Sequence, residues 1–234
     1  METIKLEVGE SPKVKITAIG GDLRLSGRHD TQFEAQAPER GTLTVDQDGD
    51  QIQVACRSGC LIFLPAAAKV EVEQVGGDAR VIGLTSELMI KTVGGDLSLR
   101  RVARSTFELI GGDLHARQVN GDLTVDRIGA DAVAEKVEGD VRLRSVGADL
   151  VLHKVTGTVD ATVGGDASLS LSPQTGSSSV VSAGGDLSCR LPEDVSAKIT
   201  MTAGGDMAMP TEVERLSENG KTVIRLGEAE ASIE

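Results

Sequence analysis

The chain has 234 residues, of which 28 are Gly, three are Phe and none is Trp or Tyr, and its formal net charge is −12. So few aromatics count against sugar sites, single-stranded nucleic-acid grooves and aromatic hot spots, and the charge opposes binding to nucleic acid or anionic membrane. No long apolar run and no apolar leader in "METIKLEVGE" appears. Direct membrane insertion is therefore not expected, and the chain as it stands reads as cytoplasmic, or as envelope-associated if a leader or anchor was removed.

Residues 1–69 carry alternating apolar stretches in "KVKITAIGGDLRLSG", "TLTVDQDGDQIQVAC" and "CLIFLPAAAKVEVEQV". Alternation is the mark of a half-buried strand, so these are read as irregular first coils of the solenoid that follows, with excursions near 28–42 and 46–51. Cys56 shares the parity of Ile52 and Val54, and Cys189 that of Leu187 and Leu191. Small buried thiols are the expected role. A disulfide between Cys56 and Cys60 across Ser58-Gly59, formed on meeting oxidant, is the alternative.

Residues 70–209 are read as regular coils. Gly-Gly-Asp or Gly-Ala-Asp ends at Asp78, Asp96, Asp113, Asp131, Asp149, Asp166, Asp186 and Asp206, at intervals of 18, 17, 18, 18, 17, 20 and 20 residues. Asp122, Asp140 and Thr158 fall halfway between. A fixed short period is the signature of a solenoid, here with two nine-residue halves per coil and like corners stacked along one edge. Within each half the apolar residues stand one, three and six places after the Asp, as in Leu123, Val125 and Ile128, which predicts a strand facing inward followed by a turn. A hexapeptide helix is excluded, because steps of six from Val119 reach Val125 and then Asp131. Pro173 and Pro192 fall in inserts that fit turns between strands.

Residues 210–234 are read as a terminal cap. Asn219-Gly220 between two strand-like runs signals a hairpin, with a short helix from Thr211 to Asn219 as the alternative. An acidic hairpin there would shield the open end of the sheet. The fold class expected is thus an all-β, single-stranded β-helix, with 1–234 as one domain.

Runs such as "AIGGDLRLSG", "VGGDARVIGL", "TVGGDLSLRRV" and "QVNGDLTVDRI", with "LIFLPAAAKVEVEQVGGD", resemble the bacterial putative-adhesin family of β-strand-repeat domains of unknown function. The likeness runs from about Lys13 to Ile233. It implies a single-stranded β-helix in an envelope-associated or cytoplasmic setting, and brings no catalytic residue to carry over.

The corner aspartates at 78, 96, 113, 122, 131, 140, 149, 166, 186 and 206 are the chemically suggestive residues. Each is expected to be structural, its carboxylate accepting backbone N–H groups of its own glycine corner as in an Asx-turn. Calcium is the functional alternative. A calcium roll, however, repeats Gly-Gly-x-Gly-x-Asp, whereas here the positions after Asp hold inward Leu and Val, which cannot ligate a hard cation. His29, His115 and His153 are isolated and expected to face solvent, and neither a Gly-x-Ser-x-Gly elbow nor a phosphate loop is present. No catalytic, metal or cofactor residue is assigned. The function expected is a non-enzymatic scaffold that binds a protein partner or associates with itself. A cytoskeletal-type filament, a calcium-stabilised adhesin and a polysaccharide-active β-helix are the alternatives.

Overall fold

The computed structural model describes residues 1–192, 197–208, 214–218 and 221–226, the last two segments by backbone pairing alone. Seven strands open the chain: β1 (Glu2–Glu7), β2 (Lys13–Ile19), β3 (Leu23–Arg28), β4 (Gln32–Ala37), β5 (Leu43–Asp48), β6 (Gln51–Cys56) and β7 (Cys60–Pro65). The next are β8 (Lys69–Val75), β9 (Ala79–Ile82), β10 (Leu88–Val93), β11 (Leu97–Val102), β12 (Ser105–Ile110), β13 (Leu114–Val119), β14 (Leu123–Ile128) and β15 (Ala132–Val137). They continue as β16 (Val141–Val146), β17 (Leu150–Val155), β18 (Val159–Val163), β19 (Ala167–Leu171), β20 (Ser178–Ala183), β21 (Leu187–Arg190), β22 (Ala197–Ala203) and β23 (Met207–Ala208). Last come β24 (Glu214–Glu218) and β25 (Lys221–Leu226).

From β8 to β23 successive strands alternate between two walls, so every second strand pairs in parallel with its like one coil away. Wall A has the order β1-β4-β7-β3-β9-β11-β13-β15-β17-β19-β21-β23, and wall B β24-β25-β22-β20-β18-β16-β14-β12-β10-β8-β2-β6-β5. The protein is an all-β, single-stranded parallel β-helix, as the nine-residue beat predicts.

The core lies between the walls. In β14, Leu123, Val125 and Ile128 are buried while Asp126 and Arg127 are not, and β16 and β17 repeat this with Val141, Leu143, Val146 and Leu150, Leu152, Val155. Two outward residues in succession break strict alternation, and wall A manages this with a left-handed residue at the fifth place after the Asp. Arg101, Gln118, Lys136 and Lys154 have φ of 52°, 60°, 56° and 58°, and Gly83 begins the same column at 75°. Ser105, polar at an inward place, is satisfied by donating to the Ala103 carbonyl at 2.9 Å.

The two kinds of corner differ in which residue must be glycine. In the Gly-Gly-Asp corner a Cβ on the first glycine would collide with the carbonyl oxygen of the corresponding glycine one coil earlier, as at Gly147 over Gly129 and Gly184 over Gly164. From Gly77 onward the second position comes closer than 3 Å only to the preceding aspartate's side chain, with backbone no nearer than 3.1 Å, and Ala130 and Ala148 occupy it natively. At the opposite corner the middle residue carries the restriction: a Cβ on Gly139 would lie 2.8 Å from the backbone nitrogen of Asp122. Asn120, Glu138 and Thr156 precede those glycines without conflict.

The first coils depart from simple winding. β2 pairs in parallel with β6 on one side and β8 on the other, and β3 with β7 and β9. The later coil β6–β7 therefore sits outside the earlier coil β2–β3, and the chain passes from β7 to β8 across it. Ala66 N–H bonds the Arg28 carbonyl at 2.8 Å on the way. The expected excursions are themselves ordered: β4 pairs antiparallel with β1 and β7, and β5 antiparallel with β6. At the other end β25 pairs antiparallel with β22 and β24. Residues 214–218 are thus strand rather than the alternative helix, while the Asn219-Gly220 turn and the tail after Leu226 lie outside the described residues. Among the described residues no helix is long and apolar enough to cross a membrane.

Candidate functional site

The corner aspartates form a ladder that differs from the expected Asx-turn. The Oδ1 of Asp22 accepts the N–H of Asp78, and the relay continues through Asp96, Asp113, Asp131, Asp149, Asp166, Asp186 and Asp206, at 2.7–3.1 Å throughout. Each carboxylate therefore serves the next coil and not its own corner. The reason is visible in the backbone. Gly94 N–H bonds the Val75 carbonyl, Gly95 N–H the Gly77 carbonyl and Leu97 N–H the Asp113 carbonyl, which leaves the Asp96 N–H as the corner donor with no backbone acceptor. A buried or crowded N–H without a partner is costly, and the aspartate side chain supplies the missing oxygen.

At the opposite corner Asp122 accepts from Asp140 N–H at 3.1 Å, and Asp140 from Thr158 N–H at 2.8 Å. The other oxygen of Asp122 pairs with Arg104 at 2.9 Å. Carboxylates one coil apart repel by about 0.9 kcal/mol per pair in water at the roughly 4.8 Å strand spacing. A hydrogen bond to an ionised acceptor contributes about 1.5–3 kcal/mol, so the ladder is net favourable where water screens the charges.

Outside the corners, every outward position forms a column along the rod. On wall A the second place after Asp gives Arg80, Ser98, His115, Val133, Val151 and Ser168, in register from strand to strand. The fourth gives Arg100, Arg117, Glu135, His153, Ser170 and Arg190. Arg117 binds Glu135 at 3.1 Å. A shallow trough of about 240 Å³ lies between the two columns at Arg80, Ser98, Arg100, His115 and Arg117. Wall A therefore has an acidic seam at one edge and a mixed border at the other, where Arg100, Arg117 and Arg190 stand with Glu135 and the corner residues Asp122 and Asp140. Nothing in a local sequence window points to this, because the charges meet only after coils of 17 and 18 residues are stacked. The three histidines are exposed, as expected.

On wall B a second hollow of about 290 Å³ lies over Lys13, Lys15, Gln51, Gln53 and Lys69. Lys15 is held there by Glu73 at 2.9 Å, an interaction that raises the lysine pKa and lowers the glutamate's. At the N-terminal end Glu34 is buried on β4, where Gln36 donates at 2.7 Å and Lys5 and Arg28 lie at 3.5 and 3.4 Å. The Gln36 bond and these cations hold its carboxyl below the usual range. Arg28 also stacks 3.5 Å over the Phe63 ring, so this cluster ties the end strands together.

Cys56, Cys60 and Cys189 are free, buried thiols, as expected. Burial, reinforced by neighbouring Cys56, pushes the Cys60 thiol up to about 12, and burial alone does the same for Cys189. Neither is a ready nucleophile.

No protein-family model matches the chain, and neither does any curated protein sequence. Solved structures do. A putative adhesin from Parabacteroides merdae ATCC 43184 is 11% identical over 90% of this chain and 96% of that one, with a TM-score of 0.48. A putative adhesin from Bacteroides fragilis NCTC 9343 is 13% identical over 89% and 96%, with a TM-score of 0.36. A putative cell adhesion protein from Clostridium sporogenes ATCC 15579 is 11% identical over 89% and 98%, with a TM-score of 0.28. Of these three bacterial proteins to which the chain is similar, two are putative adhesins and one is a putative cell adhesion protein.

Proposed function

We propose that the protein is a non-enzymatic scaffold, of adhesin-like β-helix type, whose outer faces hold a protein partner or a further copy of the chain. The observation that carries this reading is the conversion of sequence into surface. Outward residues stand in columns on the two walls, in register from coil to coil, while inward residues form one continuous apolar core between them. Such a rod presents charge at fixed spacing over a long face, which suits recognition of another extended surface. The corner aspartates belong to its frame: their Oδ1 atoms are taken by backbone N–H groups, which weighs against their use as metal ligands. Antiparallel strands end both walls on the N-terminal side and wall B on the other, which weighs against growth of a filament by addition of parallel coils.

Co-purification from the native host tests the reading. A partner retained by the wild-type protein and lost from Arg100→Ala/Arg117→Ala, with the fold intact, supports it. Turnover of any substrate that vanishes when one polar surface residue is replaced in a folded protein would defeat it.

A further inference from the structure

Strand β1 is the outermost strand of wall A, and among the described residues nothing pairs with its far edge. It also overhangs. Beyond the β6–β7 coil wall A continues with β4 and β1 but wall B with β5 alone, so β1 stands one row past the end of the opposite wall. Its inward Ile4 and Leu6, with Val8 just after it, pack on the core yet stay partly exposed, while Thr3, Lys5 and Glu7 point outward and are exposed. Val8 N–H bonds the Thr31 carbonyl, and hydrogen-bonded pairs alternate along an antiparallel ladder. The even residues therefore direct their backbone groups to β4, and Thr3, Lys5 and Glu7 turn theirs to the open edge. Among the described residues only the Glu7 carbonyl of that edge has a partner, the Gln47 side-chain amide at 3.3 Å, and a carbonyl has a second lone pair.

From this edge we infer that two copies of the chain join end to end through β1, antiparallel about a two-fold axis that passes through Leu6 at right angles to wall A. The stretch Ile4-Lys5-Leu6-Glu7-Val8 is complementary to itself when reversed. On the inner face Leu6 meets Leu6 of the second copy and Ile4 meets Val8, while on the outer face Lys5 meets Glu7 on both sides of the axis. Lys5 and Glu7 are also residues whose backbone groups face the open edge, so each such pair exchanges both of its backbone hydrogen bonds. The charge order runs on across the seam. Lys5 lies 3.5 Å from Glu34, and Glu7 accepts from Gln32 at 2.9 Å, so each Lys5 comes to stand between Glu34 of its own chain and Glu7 of the other.

Other registers are opposed by the same residues. An axis midway between two residues sets inward side chains opposite outward ones. Moving it to Lys5 sets lysine against lysine, and moving it to Glu7 sets glutamate against glutamate. At Ile4 it puts Glu2 against Leu6 and leaves Glu7 without a cation. In the Leu6 register the remaining acids lie outside the match from Ile4 to Val8. Glu2 and Glu10 oppose each other, but Glu2 turns back to accept the Gly41 N–H at 2.9 Å and Glu10 lies past the strand. Because of the overhang, the two β5 strands with Asp46 and Asp48 stand three rows apart, roughly 14 Å, beyond the screening length of about 8 Å at physiological salt.

A contact of one short strand per copy is small, so the association is a weak one, with a dissociation constant near about 100 µM. Sedimentation equilibrium up to about 1 mM protein in about 0.15 M salt should show this dimer. Glu7→Lys should raise the constant at least about tenfold, and so should Lys5→Glu. A mixture of the two variants should associate again, since each supplies the charge that the other lacks. Leu6→Cys should form a disulfide-linked dimer in oxidised glutathione, because the two copies of residue 6 meet at the axis. Thr3→Cys is the exposed control, its two copies lying roughly 20 Å apart, and should not be linked. A monomer at about 1 mM, wild-type association by Glu7→Lys, or linking of Thr3→Cys as fast as Leu6→Cys would each overturn the inference. Should Lys5→Glu loosen β1 by setting a second carboxylate beside Glu34, the cysteine comparison decides. The contact lies at the end of the rod, apart from the wall faces of the scaffold reading. A monomer that still captures a host partner leaves that reading standing, and a dimer that captures none removes it alone.

Discussion

Gly147→Ala tests the account of why this chain repeats glycine where it does. The new Cβ would overlap the carbonyl oxygen of Gly129 in the coil beneath, a backbone atom held in place by the Gly129 N–H bond to Ile110 at 2.9 Å. Relief requires the coils to part locally by about 1 Å, and three bonds cross that gap: Gly147 N–H to Ile128, Ala148 N–H to Ala130 and Asp149 N–H to the Asp131 carboxylate, at 2.9, 3.2 and 3.0 Å. At about 1 kcal/mol for each weakened bond, less the 0.4–1 kcal/mol that alanine typically gains by stiffening the unfolded chain, the net cost is about 2–3 kcal/mol. Gly112→Ala is the matched control. Its Cβ would meet the Asp96 side chain, which can turn aside, and alanine already stands at the equivalent places 130 and 148 with the ladder bonds at 3.0 Å intact. Its cost should be below about 1 kcal/mol. Urea unfolding with a common m-value compares the two. Equal destabilisation, or a larger loss at Gly112, would refute the close-approach argument.

Lys154→Gly should stabilise the protein by about 1 kcal/mol, since a non-glycine residue at φ 58° carries left-handed strain; a loss in thermal melting would show that the lysine side chain holds something. Leu143→Ala, 1% exposed, should cost about 2–5 kcal/mol while the exposed Arg142→Ala changes little, and similar unfolding midpoints for the two would mean the inward register is wrong. Stability should fall as pH rises from about 9 toward 12, because the Cys189 thiol stays protonated in the fold up to about 12 and ionises earlier when unfolded. The contribution is at most about 1.4 kcal/mol per pH unit, and Cys189→Ala should flatten the slope in denaturant titrations between pH 8 and pH 10 or so. Melts with millimolar calcium and with chelator should coincide, a clear rise in Tm with calcium being the contrary result.

The regular coils were legible because inward places one, three and six recur as Leu123, Val125, Ile128 and as Val141, Leu143, Val146, a pattern that fixes which face is buried. The partner of each aspartate was less so. Asp96 serves Asp113, 17 residues on, and its type and its neighbours are equally suited to a bond within its own corner. The left-handed column gave no signal in residue type, since Arg101, Gln118, Lys136 and Lys154 are ordinary strand-surface residues and only Gly83 hints at it. The order of the first coils was hidden for another reason. Alternation in "KVKITAI" says that Val14 and Ile16 face inward, but not that Gln51 lies on one side of Lys13 and Lys69 on the other.

That crossed order bears on how the rod is made during synthesis. The strands β2 and β3 leave the ribosome before their neighbours, yet both of their edges are filled only by later chain, β6 and β7 on one side and β8 and β9 on the other. The earliest coil is therefore an interior row, and assembly must proceed outward from it in two directions. The short end closes with residues 51–65, and the long end extends coil by coil with the growing chain. Until about residue 82 has emerged, at least one edge of Leu23–Arg28 waits uncovered, as one edge of Lys13–Ile19 does until Lys69–Val75 follows, which makes this interval the stage at which a nascent chain is most exposed to pairing with a stranger.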